Sequence, residues 1–295
     1  MNELVVYFNG RMVPESQAGI SIHDRGVQAG IGVFERTRTF NGVPFRLDEH
    51  LRRLDRSMRV TRVSAGMSID EIRDLTLEVL EANKGHRGPN DDFSIAHFIT
   101  LGVAGKPTVI IFTQLIPFAT FAKQYETGAH VVSSPVEQSP ITFIDPKIKT
   151  TSRMHHHLAL QFVRNVDPDA YPLFLDRQGN VCELNASNIW MVQDGVIVSP
   201  PGRSILHGIT RDVVFEVAAK AGIATVEREF QVYDMQLAEE AFLSGTSPSI
   251  IAVTKVNGLP IGDGRPGPIV GRLQQGFCEL TGVDVVQQAL SHLKK

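Results

Sequence analysis

Leu47, Leu51, Leu54 and Met58 of "RLDEHLRRLDRSMRV" recur at intervals of four, three and four, which makes one face of a helix apolar. Strand-like runs flank this stripe. "LVVYFNGRMV" precedes it, with Asn9-Gly10 as a hairpin signal, and "SIAHFITLGV" and "TVIIFT" follow it. The last run is apolar enough for burial on both faces. A second helix opens with a capping box from Ser68 to Glu71 and turns Ile72, Leu75 and Val79 inward before Gly85. Helices interleaved with strands, without strict alternation, describe an α+β chain.

The stretch "LIPFATFAKQYETG" holds Pro and Gly and shows no clear period, so residues 119–128 read as a linker. Beyond it come short strands ("HVVSS", "YPLFLD", "SNIWMV", "VIVSP", "TVEREF", "AFLSG", "IIAVTKV") and helices near 150–165, 210–221 and 267–281. A chain of 295 residues suits two domains, here 1–118 and 129–295, with a cleft between them as the default ligand site. A net charge of −3 leaves no electrostatic footprint for nucleic acid or an anionic membrane. The expected partners are a small molecule and a second copy of the chain. No apolar window is long enough to span a membrane, and the start has no basic leader. Cys182 and Cys278 lie far apart without metal spacing, which suits reduced thiols in the cytoplasm.

Chemistry concentrates in "DPKIKTTSRMHHH", residues 145–157. Successive helical residues point about 100° apart, so His155, His156 and His157 do not converge on one ion. No metal is expected. "GIGVFE", Gly30 to Glu35, has Glu35 where a dinucleotide fingerprint needs its third glycine. Its two glycines instead read as a close approach of backbone to a ligand or another subunit. In "ILHGITRDVVFEVAAKAG", a helix starts after Gly208, and its free N–H groups suit a phosphate. An ordinary capped helix is the alternative. "SGTSPS", Ser244 to Ser249, is either a plain turn or a second set of donors. Glu183 of "NVCELNASNIW", near Asn185 and Asn188, needs a partner if buried, either a protonated ring nitrogen or an arginine.

These motifs, in the order "GIGVFE", "LDEHLRRL", "DPKIKTTSRM", "ELNASNIW", "LHGITR" and "FLSGTS", resemble the class IV (fold-type IV) pyridoxal-phosphate aminotransferases over nearly the whole chain. The resemblance implies a two-domain, D-amino acid aminotransferase-like fold. A small N-terminal α/β domain would precede a larger domain with a pseudo-barrel of short strands. It implies pyridoxal 5′-phosphate as cofactor, a homodimer, and transamination between an amino acid and a 2-oxo acid in the branched-chain manner. The family's cofactor-linking lysine precedes a helix in an "IK" pair, which matches Lys149 and not Lys147. Glu183 matches the carboxylate on the ring nitrogen, with Asn188 beside it. Arg53, Ile209, Thr210 and Thr246 match the phosphate-binding positions. Phe34, Arg36, Arg38 and Ser247 match the substrate side.

Departures from the branched-chain pattern bear on the substrate. Met154 stands where those enzymes carry tyrosine, and Ala96 where they carry a strand arginine. "KTTSRM" is closer to the lyase and D-amino acid branches, and Arg36 replaces a small or apolar residue. An aminodeoxychorismate-type lyase and a D-amino acid or R-amine transaminase therefore stand as alternatives. A catalytically silent homologue is disfavoured by the intact Lys149 and Glu183. Arg36 and Arg38 alternate along "FERTRT", so on a strand they share a face, either to meet a substrate carboxylate or to pair with Asp or Glu. At least one, with Arg38 preferred because related enzymes often carry arginine there, is expected to meet the substrate's acidic group, with the Ser247 backbone N–H as a second donor.

Overall fold

The computed structural model describes residues 3–293 and divides into two compact units. Unit 1 runs to Ile116 and also takes in Ile148–Ser152; unit 2 comprises Pro117–Lys147 and the chain from Arg153 onward.

Unit 1 contains β1 (Val5–Phe8), β2 (Arg11–Pro14), α1 (Arg25–Ala29), β3 (Gly32–Phe40), β4 (Val43–Pro44), α2 (Leu47–Thr61), α3 (Ile69–Asn83), β5 (Phe93–Val103) and β6 (Lys106–Leu115). Its sheet runs β2-β1-β6-β5-β3-β4. Asn9 and Gly10 both take positive φ, as the expected hairpin between β1 and β2 requires. Leu51 and Leu54 of α2 and Ile72 and Val79 of α3 pack with Val33, Phe93, Ile95, Ile99 and Ile111 of the sheet. The capping box at Ser68 and Glu71 is formed.

Unit 2 contains α4 (Phe118–Thr127), β7 (Ala129–Ser133), α5 (Met154–Arg164), β8 (Tyr171–Leu175), β9 (Val181–Leu184), β10 (Asn188–Gln193), β11 (Val196–Ser199), α6 (Ile209–Lys220), β12 (Thr225–Glu227), α7 (Val232–Gln236), β13 (Glu240–Gly245), β14 (Ser249–Val256), β15 (Leu259–Pro260), α8 (Pro268–Thr281) and α9 (Val285–Leu290). The sheet order β12-β11-β10-β13-β14-β7-β8-β9 closes on itself where β9 pairs with β10, giving the expected barrel of short strands.

Three expectations are corrected. Residues 119–128 are not a structureless linker: all but Gly128 lie in α4, which buries Phe118, Ala122 and Tyr125 at intervals of four and three. Gly128, at φ +77, ends the helix with its N–H on the Gln124 carbonyl, 2.9 Å away. The stripe is short, and exposed small and polar residues obscure it. The lysine segment, expected in the C-terminal domain, groups instead with unit 1, because its backbone pairs with β3. Of the expected strand "TVEREF", residues 225–227 alone are extended as β12.

Candidate active site

In unit 1, β3 organises the chemistry. Phe34 N–H donates to the Lys149 carbonyl (2.9 Å) and Thr151 N–H to the Gly32 carbonyl (3.0 Å). The hydroxyls of Thr151 and Ser152 both donate to the Gly30 carbonyl, at 2.9 and 2.7 Å. This contact accounts for the two glycines. A Cβ on Gly32 would lie 3.0 Å from both the Ile99 carbonyl oxygen and Thr151 Oγ1, and Gly30 takes φ +66 with Ser152 Oγ beside it. The close approach seen there is to the chain's own lysine segment. The Lys149 N–H also donates to Ser57 Oγ on α2 (3.2 Å), and its Nζ lies 4.7 Å from the centre of the Phe34 ring. Lys147 is placed otherwise, with its Nζ paired to Asp145 Oδ1 at 2.9 Å.

On the helix side of β3, Glu35 is fully buried. Arg53 Nε donates to its Oε2 (2.9 Å) and Arg53 Nη2 to its Oε1 (2.5 Å), while His50 Nδ1 approaches Oε1 at 3.1 Å. Burial alone would raise the Glu35 carboxyl, but the Arg53 charge and the bonds from His50 and Arg53 outweigh it and hold the group well below the usual carboxylate range. Burial pushes His50 down; Glu35 opposes that, and the Arg53 and Lys149 charges add to it. Arg53 therefore sits in a buried cluster one helical turn before Ser57. Sequence reasoning gave Glu35 and His50 no role. The available signal was a carboxylate at an inward strand position facing polar residues on the apolar stripe of α2.

The opposite face of β3 carries Phe34, Arg36 and Arg38, so both arginines share a face as expected. Phe34 stacks on Phe98 and Phe98 on Phe112, with ring centres 5.5 and 5.9 Å apart. Arg36 pairs in register with Ala96, and its Nη1 donates to Ser94 Oγ (3.1 Å) and Gln114 Oε1 (2.9 Å). Both acceptors are neutral. Arg38 is buried: its guanidinium lies over Phe40 at 4.0 Å, Nε donates to the Thr39 carbonyl at 3.1 Å, and Nη2 lies 3.9 Å from Asp92. Arg38, the arginine preferred from the sequence for the substrate carboxylate, is thus in the paired arrangement that was its alternative, which leaves Arg36 as the one with neutral acceptors.

In unit 2, Glu183 on β9 faces Asn188 on β10 in register. Glu183 Oε1 accepts from Gln138 Nε2 (2.7 Å), and Oε2 accepts from the Leu206 N–H (3.1 Å) and Asn188 Nδ2 (3.5 Å). Asn188 Nδ2 also donates to the Leu206 carbonyl at 3.0 Å. Leu206 is thus gripped at both polar backbone atoms, two residues before Gly208, the N-cap of α6. Among the described residues no side chain caps that terminus, where Ile209 and Thr210 form the first turn. A Cβ on Gly208 would meet Asn188 Oδ1 at 2.2 Å, so glycine is required for the approach. Arg211 holds α6 from behind, with Nη2 bonded to Ser199 Oγ (3.1 Å) and to Glu227. Thr246 and Ser247 occupy the turn between β13 and β14, and a Cβ on Gly245 would reach Ser187 Oγ at 2.7 Å. Unit 2 therefore joins a buried carboxylate to an uncapped helix terminus and a hydroxyl-bearing turn. This donor set suits a protonated ring nitrogen and a phosphate.

The histidine run opens α5. The His156 ring packs 4.9 Å from Phe174, and its Nδ1 lies 2.7 Å from Arg153 Nη2. Among the described residues no cluster of His, Cys, Asp or Glu is arranged to hold a metal.

The sequence matches the model of the amino-transferase class IV family over residues 32–256. A protein of Methanocaldococcus jannaschii, provisionally named a branched-chain-amino-acid aminotransferase, is 33% identical over 285 residues, covering 93% of this chain and 96% of that one. D-alanine aminotransferase of Staphylococcus haemolyticus is 29% identical over 278 residues, covering 92% and 96%. Among solved structures, Escherichia coli branched-chain amino acid aminotransferase aligns with a TM-score of 0.87 at 29% identity, over 94% of each chain. A T.th. branched-chain amino acid aminotransferase complexed with N-(5′-phosphopyridoxyl)-L-glutamate gives 0.83 at 26%, again over 94% of each.

Proposed function

Because the chain belongs to the class IV aminotransferases, we propose that it moves an amino group between an amino acid and a 2-oxo acid, with Lys149 as the catalytic lysine and pyridoxal 5′-phosphate as cofactor. The observation that carries this reading is the contrast between the two lysines. Lys147 is tied into an ion pair, whereas the Lys149 segment is clamped to β3 with its amine over Phe34.

The residues present fit that cofactor. An uncapped N-terminus of a twelve-residue helix, with Thr210 in its first turn, offers N–H and hydroxyl donors to a phosphate. Thr246 adds a hydroxyl, and Arg53 is the cation assigned to the same group. Glu183, buried and already held by donors, suits a protonated ring nitrogen. When bound, the cofactor supplies an aldehyde that captures amines and a ring that accepts electrons from the adjacent carbon. Lys149 would hold the aldehyde end of that group through its amine, and the same amine is the base that would take the proton from the substrate Cα and deliver it to the cofactor carbon that bore the aldehyde. Glu183 would hold the ring nitrogen in its protonated form. Phe34 borders the amine, and Arg36, whose side-chain acceptors among the described residues are neutral, is the group we assign to a substrate carboxylate, with the Ser247 backbone N–H as a second donor.

Met154, Leu158 and Phe162 form an exposed apolar stripe along α5, 69, 53 and 45% accessible, with Val166 beyond them. Exposed large apolar side chains at helical spacing support a homodimer. No helix among the described residues is long and apolar enough to cross a membrane, and both cysteines are free. The cytoplasm is the compartment we assign.

The test is turnover with a panel of L- and D-amino acids, with and without a 2-oxo acid acceptor. Transamination predicts turnover that stops when the acceptor is withheld. Sustained pyruvate release without an acceptor would identify a lyase instead.

A further inference from the structure

Gln138 lies in the loop after β7, 45 residues before Glu183 in the chain, yet its side chain donates to that carboxylate at 2.7 Å. Its Nε2 carries two hydrogens. One donates to Glu183 Oε1 at 2.7 Å and the other to the Ser204 carbonyl at 3.2 Å. Because both neighbours are acceptors, they fix the amide orientation: the carbonyl end would be repelled at this position. That end instead accepts the N–H of Ser139 at 3.3 Å. The Gln138 backbone is itself anchored, with its N–H on the Leu175 carbonyl at 2.9 Å. Gln138 is 6% exposed and Glu183 7%, so the bond is shielded from water.

A carboxylate at this depth remains ionised only where donors replace its water. Around Glu183 those donors include Gln138 Nε2 on one oxygen and the Leu206 N–H with Asn188 Nδ2 on the other, and the Arg153 charge interacts with the same carboxylate. Leu206 and Asn188 also shape the approach to α6. Gln138 reaches the carboxylate from the loop after β7 and bonds the Ser204 carbonyl besides, so it is the donor that can be replaced while Leu206, Asn188 and the first turn of α6 stay intact.

We propose that Gln138 is a positioning residue that keeps the Glu183 carboxylate ionised and aimed, so that a ring nitrogen bound to Glu183 retains its proton. This rests on the assignment of Glu183 to the ring nitrogen made above. A hydrogen bond to a charged group shifts the balance between its protonated and ionised forms by about tenfold or more. Without the Gln138 donor, Glu183 becomes the stronger base and draws the shared proton toward itself.

The experiment uses holoenzyme reconstituted with pyridoxal 5′-phosphate labelled with 15N in the ring, read by NMR of the ring nitrogen and its attached proton. Gln138→Met keeps the side-chain length and removes the donor. It is expected to move the 15N resonance toward that of neutral pyridine and the proton resonance downfield, with cofactor affinity changed less than about threefold, since the phosphate contacts remain. Gln138→Glu supplies a second, pH-dependent check. While its new carboxyl is protonated it donates as the amide does and restores the wild-type resonances; when that carboxyl ionises, the resonances shift in a step that wild type lacks. Glu183→Gln separates the two assignments, because it should abolish the pyridinium signal whatever Gln138 does. Loss of that signal in Glu183→Gln, with wild-type resonances at every pH in both Gln138 variants, overturns the role of Gln138. A pyridinium signal that survives Glu183→Gln overturns the assignment of Glu183 to the ring, and the inference falls with it.

Discussion

Glu183 and Asn188 face each other across the one register pair that joins β9 to β10, and that pair closes the barrel of unit 2. The same two side chains hold Leu206 by its N–H and its carbonyl. Closure of the barrel, placement of the carboxylate and aim of the α6 terminus are therefore one arrangement.

Gly208→Ala tests that coupling. Its Cβ would stand 2.2 Å from Asn188 Oδ1, so Asn188 or the helix start must shift. We expect a loss of roughly 1–3 kcal/mol in stability, as for overpacking elsewhere. Affinity for pyridoxal phosphate should fall more than affinity for unphosphorylated pyridoxal, both measured by absorbance titration. Equal losses for the two ligands would detach the helix terminus from phosphate binding.

The two arginines of β3 are expected to behave differently. Arg36→Ala removes a guanidinium whose acceptors are neutral, so the melting temperature should hold while KM for carboxylate substrates rises by about 10- to 100-fold, the loss of one charge-assisted pair. Arg38→Ala leaves Asp92 buried without that cation and should cost about 3–5 kcal/mol of stability. Unchanged KM for every acid in Arg36→Ala would remove this residue from the substrate site.

His97 should give unit 1 an acid-sensitive component. Thr76 donates its hydroxyl hydrogen to the Ile72 carbonyl (2.6 Å), so it accepts from His97 Nε2–H (2.8 Å), and Nδ1 is left buried without a partner among the described residues. Burial pushes this imidazole from 6.5 down to about 4; Glu35 opposes the shift and His50 reinforces it. The folded chain then binds fewer protons than the unfolded chain between these values. The stabilisation is fully present above pH 6.5 and is lost as pH falls towards 4, by about 3 kcal/mol in all. Urea unfolding at pH 7 and pH 4.5 should show a smaller drop in His97→Gln, which keeps a donor for Thr76. Equal drops would show that another group sets the slope.

Much of this site was legible because short motifs carry its parts: the "IK" pair, "ELNASN", "HGITR" and "SGTS" each place a residue at a strand end, a helix start or a turn. What escaped depends on contacts between distant segments. Nothing near Gln138 marks it as the partner of Glu183, and Glu35 looked like a missing glycine until α2 brought His50 and Arg53 beneath it. The glycines of "GIGVFE" announced a close approach, but the sequence does not say that Thr151 and Ser152 are what approach. The α4 helix was missed because its three buried positions are too few to show a period against exposed Ala, Thr and Lys.

The central claim is that Lys149, and not Lys147, is the lysine that links to the cofactor. Enzyme reconstituted with pyridoxal phosphate, reduced with borohydride, digested and sequenced by mass spectrometry should carry the phosphopyridoxyl group on Lys149. Lys149→Ala should take up no label and show no turnover while keeping its melting temperature, and Lys147→Ala should be labelled and active. Label on Lys147, or wild-type turnover in Lys149→Ala, would contradict the account.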